Sequence, residues 1–254
     1  MTELYKKTSY TQDIPILVGD IYEYDISKAN ISVLYDKGLI DYSKYSYLYN
    51  EDSMVRKVIV GNMQRDNPNL TKQLQQGIIE AKYNLFTSNN LTDEEVLSIK
   101  NDAVFTIRLL EFVSFRNILF KLKNHYKLFI KVYKLEFYYN DYKLDVKGIQ
   151  DDVLDIHKDY MVAFFKELFD LYLKQGCKNT IDILQRFYEA YNNRVLDPGF
   201  YRDLYTGKFQ ISMNSIYSYE STIYDKSLLP FILIDNNNAI LRGLARIFYS
   251  EYLR

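Results

Sequence analysis

Two aspartates occupy places where a folding chain can least tolerate an isolated charge. Asp25 closes the run Ile21-Tyr22-Glu23-Tyr24-Asp25, and Asp102 lies within Leu97-Ser98-Ile99-Lys100-Asn101-Asp102-Ala103-Val104-Phe105. Both stretches read as strands of largely apolar residues. A carboxylate buried alone is strongly unfavourable. Two of them in matching settings, with a helical region between, point to strands that share one cation.

The rest of the composition permits such a fold. A chain of 254 residues is long enough for one large domain or two small ones with a real core. Its 26 Tyr and 15 Phe supply much of that core, and only 9 Gly and 4 Pro argue against a loop-rich chain. A single cysteine, Cys177, excludes an internal disulfide framework and a cysteine-built metal site. His125 and His157 are too isolated for a zinc site or a histidine-based nucleophile system. The first residues, Met1-Thr-Glu-Leu-Tyr-Lys-Lys, hold no apolar signal core, and no run reaches membrane-spanning length. The expectation is a cytoplasmic protein with no membrane partner. Richness in Lys, Asn, Ile and Tyr hints at a phage or a low-GC bacterium.

The net charge of −1 does not advertise nucleic-acid binding, but the average conceals a local bias. Between Lys100 and Lys147, Lys and Arg outnumber Asp and Glu two to one among many Tyr and Phe, a mixture suited to phosphates and bases. Acids dominate from Asp151 to Asp170. A solvated strand face accounts for the basic stretch equally well.

The pattern along the chain is α+β. Ile14–Val18 and Ile21–Ile26 read as strands, and Ser27 to about Lys37 as a short helix. Asp41–Asn50, with Tyr42, Tyr45, Tyr47 and Tyr49, shows no clear period and reads as irregular; its tyrosines suit either base stacking or a partner contact. Ser53–Met63 and Asn69–Phe86 read as helices separated by Pro68, the second with a stripe at Leu70, Leu74, Ile78, Ala81 and Leu85. Thr92-Asp-Glu-Glu95 resembles a capping box. Ser98–Ile107 reads as one strand around Asp102. Leu128–Tyr139 forms a strand-rich hairpin, and the turn at Asn140-Asp141 leads into Tyr142–Val146. After Gly148 the chain becomes mostly helical: Val153–Gln175, Thr180–Asn192, Pro198–Thr206 and about Ala239 to Leu253. A boundary is therefore expected near residue 149.

Three segments in order resemble family B DNA polymerases. Asp25-Ile-Ser-Lys-Ala-Asn-Ile-Ser-Val33 resembles motif A, with Asp25, Ser32 and Val33 in step. Lys57-Val-Ile-Val-Gly61-Asn62 is similar to the fingers motif. Asn101-Asp102-Ala103-Val104-Phe105 resembles the Thr-Asp-Ser-Val-Phe part of motif C. Farther on, Asp145-Val-Lys147-Gly148-Ile149 resembles the Lys-Gly step before the thumb, and Tyr201-Arg-Asp-Leu-Tyr-Thr-Gly207-Lys208 the late thumb. The likeness spans about residues 20–210 and rests on order and spacing.

The resemblance implies a palm-like antiparallel sheet with helices over 1–149, a short fingers insertion at about 38–90, and a helical thumb-like region over 150–254. It implies a nucleotidyltransferase that extends a nucleic-acid primer on a template, using nucleoside triphosphates, in DNA replication. Asp25 and Asp102, with the carbonyl of Ile26, would bind two Mg²⁺ (or Mn²⁺) ions. Arg56, Lys57, Asn30 and Asn62 would face the nucleotide, and Lys127, Lys131, Lys134 and Lys147 would track the nucleic-acid backbone.

The sequence also departs from the family. Asn30 replaces the tyrosine that excludes ribonucleotides, Lys100 stands where motif C carries its first acid, and Gly61-Asn62 and Gln64-Arg65 replace two conserved pairs of the fingers. Lys100 could neutralise Asp102. Fingers this short leave room for a second protein subunit. Three readings therefore stay open: a working enzyme, an inactive polymerase-like phage protein that binds nucleic acid or a replication or virion partner, or an α+β interaction protein unrelated to polymerases.

Overall fold

The computed structural model describes residues 3–148, 159–193, 195 and 229–254. His157, the expected helix Pro198–Thr206 and the thumb-like segment Tyr201–Lys208 lie outside the described residues. So do Ile149 and the start of the acidic stretch.

The described chain is α+β. Its strands are β1 (Ser9–Thr11), β2 (Ile16–Ile26), β3 (Val96–Lys100), β4 (Ala103–Thr106), β5 (Ser114–Phe115), β6 (Ile118–Val132), β7 (Leu135–Asn140) and β8 (Lys143–Lys147). Its helices are α1 (Ala29–Asp36), α2 (Tyr42–Asn50), α3 (Ser53–Asp66), α4 (Asn69–Ser88), α5 (Asp159–Gln175), α6 (Cys177–Asn192) and α7 (Leu229–Tyr252). Two compact units emerge: Met1–Asp13 with Asp20–His125, and Ile14–Gly19 with Tyr126–Arg254.

In the first unit the strands run β1-β3-β4-β2, with β6 beside β2. The pairs β1–β3, β3–β4 and β2–β4 are antiparallel. The stretch expected as one strand around Asp102 is a hairpin. Lys100 pairs with Ala103, and Asn101 and Asp102 form the turn between them. Asn101 takes a left-handed conformation there (φ 57°), which asparagine tolerates better than most residues. The apolar residues on both sides of the turn hide it from a reading based on hydrophobic runs.

Helix α4 buries the stripe anticipated from its spacing, with Leu70, Leu74, Ala81 and Leu85 inside. Gly77 lies on that face against Val33 of α1, and a methyl group there would collide with the valine. The segment Asp41–Asn50 is not irregular. Asp41 caps it by accepting the Lys44 amide at 2.8 Å, and Leu48 is fully buried. Tyr45 stacks on Tyr35 of α1, so tertiary packing supplies what the weak period withholds. Thr92 donates its amide to the Glu95 carboxylate at 3.0 Å, half of the expected capping box.

In the second unit β6, β7 and β8 form an antiparallel meander. Leu128, Ile130 and Val132 of β6 and Leu135, Phe137 and Tyr139 of β7 share one core with Phe165, Phe169, Leu184, Leu244 and Phe248 of the helices. These residues follow the period of two by which a strand sends alternate side chains to one face, and Phe129, Glu136 and Tyr138 between them are buried on the other. The β7–β8 hairpin thus groups with the helices, and the units divide at His125 where the sequence suggests residue 149. Gly148 takes φ 146°, and a side chain there would strike the Lys134 carbonyl.

Candidate active site

Asp25 is the penultimate residue of β2. The β2–β4 register pairs Tyr22 with Thr106, Glu23 with Phe105 and Tyr24 with Val104. Continued by one step, it sets Asp25 beside Ala103, the residue that follows Asp102. The two carboxyl groups come within hydrogen-bonding reach. Burial, and after it the charge of Asp25, pushes the Asp102 carboxyl up to about 6. An acid so placed keeps its proton to a higher pH than an ordinary carboxyl does, and a bound cation would favour its ionised form.

An ammonium stands beside the pair. Lys123 of β6 places Nζ 3.0 Å from Asp25 Oδ2, and that hydrogen bond raises its pKa. The charges of Glu23 and Asp102 act on it in the same direction. Glu23, almost wholly buried, accepts from Asn124 at 2.5 Å. Lys100 donates to Thr11 Oγ1 at 3.0 Å.

Behind the turn lies Lys82 of α4, with no exposed surface. Its ammonium donates to the carbonyls of Lys7 and, at 3.2 Å, Asn101. Burial lowers its pKa to about 8, and the charge of Asp102 opposes that fall. Lys82 therefore ties the turn that carries Asp102 to the first residues of the unit.

A cavity of about 480 Å³ opens here. Asn101, Asp102 and Lys82 line it together with Lys28 and Asn30, Arg56 and Lys57 of α3, and Gln75 of α4. Three of the expected nucleotide-facing residues, Asn30, Arg56 and Lys57, thus share one cavity with Asp102. Asn62 is exposed farther along α3 and is not part of the lining. Arg56 donates to the Glu51 carbonyl, which fixes its approach. Ile26, the expected carbonyl ligand, ends β2 next to Asp25 with its side chain buried.

Lys127, Lys131, Lys134 and Lys147 all belong to the second unit. Lys131 faces Glu136 across β6–β7, and Glu136 faces Lys147 across β7–β8. An acid therefore interrupts the row, and Lys147 also lies 5.6 Å from the centre of the Tyr138 ring. Lys127 is exposed on β6 and Lys134 is exposed in the β6–β7 turn.

Sequence reasoning passed over Lys28, Lys82 and Lys123. Lys82 left a trace, because Leu74, Ile78, Lys82 and Phe86 follow one another at four-residue spacing, a charge inside an apolar stripe. Lys123 left none, since it meets Asp25 only through the pairing of distant strands.

The donor set fits a hard divalent ion in part. Two adjacent carboxylates are oxygen ligands of the kind Mg²⁺ and Mn²⁺ take. Among the described residues, no group of three or more His, Cys, Asp or Glu side chains could hold a metal ion. Water or a bound phosphate must then complete the coordination sphere, as Mg²⁺ sites commonly allow.

A family model described as the bacteriophage PBS1 gene 130 protein matches residues 1–250. The chain belongs to this family. Membership supports the phage origin suggested by the composition. No curated protein matches the chain. Among the described residues of this phage family member, no helix is long and apolar enough to cross a membrane.

Proposed function

We propose that this phage protein is a small nucleotidyltransferase, similar to the palm of family B DNA polymerases, that extends a nucleic-acid primer with nucleoside triphosphates. One observation carries the reading: Asp25 and Asp102 converge, and Asp102 lines a cavity that also holds Arg56 and Lys57. One acid, Asp102, and the cations Arg56 and Lys57 in a shared lining suit a phosphate chain bound together with a metal ion.

In this reading Asp25 and Asp102 would hold Mg²⁺ or Mn²⁺, and the Ile26 carbonyl could add a further oxygen. The metal, when bound, supplies charge for the attacking and leaving oxygens. A bound cation would hold Asp102 in its ionised form. Arg56 and Lys57 neutralise the triphosphate, and Asn30 borders the sugar. Lys82 holds the Asn101–Asp102 turn so that the second carboxylate meets the first. Lys123 must release Asp25 before both oxygens of that carboxylate are free for a cation.

The Lys123–Asp25 ion pair favours a second reading, in which the ammonium has taken the cation's place and the protein binds nucleic acid or a replication or virion partner without turnover. Primer extension with labelled nucleotides and Mg²⁺ or Mn²⁺ separates the two. Extension by the wild type that disappears in both Asp25→Asn and Asp102→Asn supports the enzyme. A folded wild type that extends nothing, and whose nucleic-acid binding both substitutions leave unchanged, supports the binding protein.

A further inference from the structure

Beyond Lys28 and Arg56, which line the cavity, the first unit carries a further cation, Lys121, and a set of tyrosines that the carboxylate site does not use. Helix α2 sends Tyr45 onto Tyr35, with ring centres 4.5 Å apart and planes within 16°. Tyr49, one turn on, lies 5.6 Å from Tyr45. The ladder ends in positive charge. Lys28 sits 3.6 Å from the centre of the Tyr49 ring and donates to the Tyr49 carbonyl. Its backbone takes the left-handed conformation before α1 (φ 53°), which holds it at that corner.

The Tyr49 hydroxyl is hydrogen-bonded to Ser27, which lowers its pKa, and the charges of Lys121, Lys28 and Arg56 lower it further. These cations come from β6, the start of α1 and α3. Of the acids beside α2, Asp41 caps α2 and Asp52 caps α3, and Glu51 stands between the two helices. Tyr42, on the same side of α2 as Tyr45 and with its ring centre 6.1 Å from that of Tyr35, is 67% exposed.

We propose that this face, Lys28, Lys121, Arg56 and Tyr42, Tyr45 and Tyr49 of α2, binds the phosphodiester backbone and bases of a single-stranded nucleic acid. Cations spaced over three elements match a run of phosphates, and exposed tyrosine rings offer stacking surfaces that accept any base. A lone triphosphate is a poorer match, because Lys121 does not line the cavity and the exposed rings belong to α2, which contributes nothing to that lining. The inference rests on the nucleic-acid partner of the reading above, but it moves the strand from the second-unit lysines to the first unit.

The test is fluorescence anisotropy of a labelled oligothymidylate with the full chain, in EDTA and without nucleotide. Neither metal nor catalysis enters, so failed primer extension leaves this site standing, and failed binding here leaves a nucleotide site standing. Lys28→Gln/Lys121→Gln is expected to bind about tenfold more weakly, with a salt slope shallower by roughly 1–2. Tyr42→Leu is expected to lose several-fold in affinity with the slope unchanged. Since Lys28 also braces α2, Lys121→Gln alone, an exposed strand position, must show part of the loss. Absence of binding by wild type overturns the proposal. So does binding that survives Lys121→Gln but falls with Lys127→Gln/Lys131→Gln.

Discussion

The two compact units treat polar groups in opposite ways. The second unit packs aromatic rings face to face and edge to face: Phe137 meets Phe165 and Phe169, and Phe164 stacks on Phe187. Its buried polar groups are quietly satisfied. Glu136 accepts the Tyr138 hydroxyl at 2.8 Å, and Thr180 donates to the Gly176 carbonyl at 2.8 Å. The first unit instead draws ionisable groups together, with Asp102 and Lys82 both displaced from their ordinary pKa values by burial. Such perturbed groups in a cavity mark functional sites more often than structural ones. The difference suggests stability as the second unit's main contribution and chemistry as the first's.

The strongest test of that contrast is a cut into the aromatic core. Phe165 is fully buried among Phe137, Phe164 and Phe169. Phe165→Ala is expected to lower unfolding free energy by about 3–5 kcal/mol in urea melts. A loss under 1 kcal/mol would show that the core is loose. A smaller effect is expected from Gly77→Ala, where the added methyl meets Val33. Overpacking of this kind is destabilising by about 1–3 kcal/mol. A shorter partner, Val33→Ala, should recover part of the loss, and absence of recovery would place the strain elsewhere.

Those two positions also show what could be read from residues alone. The α4 stripe and the alternation of β6 and β7 follow from periods of 3.6 and 2, so the α+β class and much of the core were legible. The convergence of Asp25 with Asp102 was suggested by matching settings, but the turn that produces it was not. Its flanks Ile99 and Val104 are as apolar as a continuous strand. Helix α2 was hidden because Leu48 is its one fully buried residue, and a single anchor has no period. Lys123 and Lys28 reach their partners across strands and helices far apart in sequence, where no local pattern points.

Asp102→Asn turns the first unit's polar interior into a pH measurement. The folded carboxyl titrates near 6, above its ordinary 3.8, so the folded state holds the proton more tightly. Its unfavourable contribution is absent below pH 3.8, grows between 3.8 and 6, and is complete above 6. The full rise is worth at most roughly 3 kcal/mol. The side chain is partly exposed, and screening reduces the expectation to about 1–2 kcal/mol. At pH 7 the variant should be more stable than wild type by that amount, and the gain should vanish at pH 4. Equal stability at both pH values would remove the carboxylate pair from the account.

The smallest expected effect bears most directly on the two readings of function. Lys123 holds Asp25 at 3.0 Å, yet its side chain is 54% exposed. An ion pair open to water contributes about 0.2–1 kcal/mol. Lys123→Met should therefore tighten Mn²⁺ binding, followed by paramagnetic resonance, by roughly 1.5- to 5-fold and no more. That modest gain would mean the ammonium yields readily and the carboxylates belong to a cation, as an enzyme requires. A wild type that binds no Mn²⁺, beside a variant that binds well, would mean the lysine has become a permanent occupant. The first unit would then owe its buried charge to binding alone, and the contrast between the two units would be one of recognition against support.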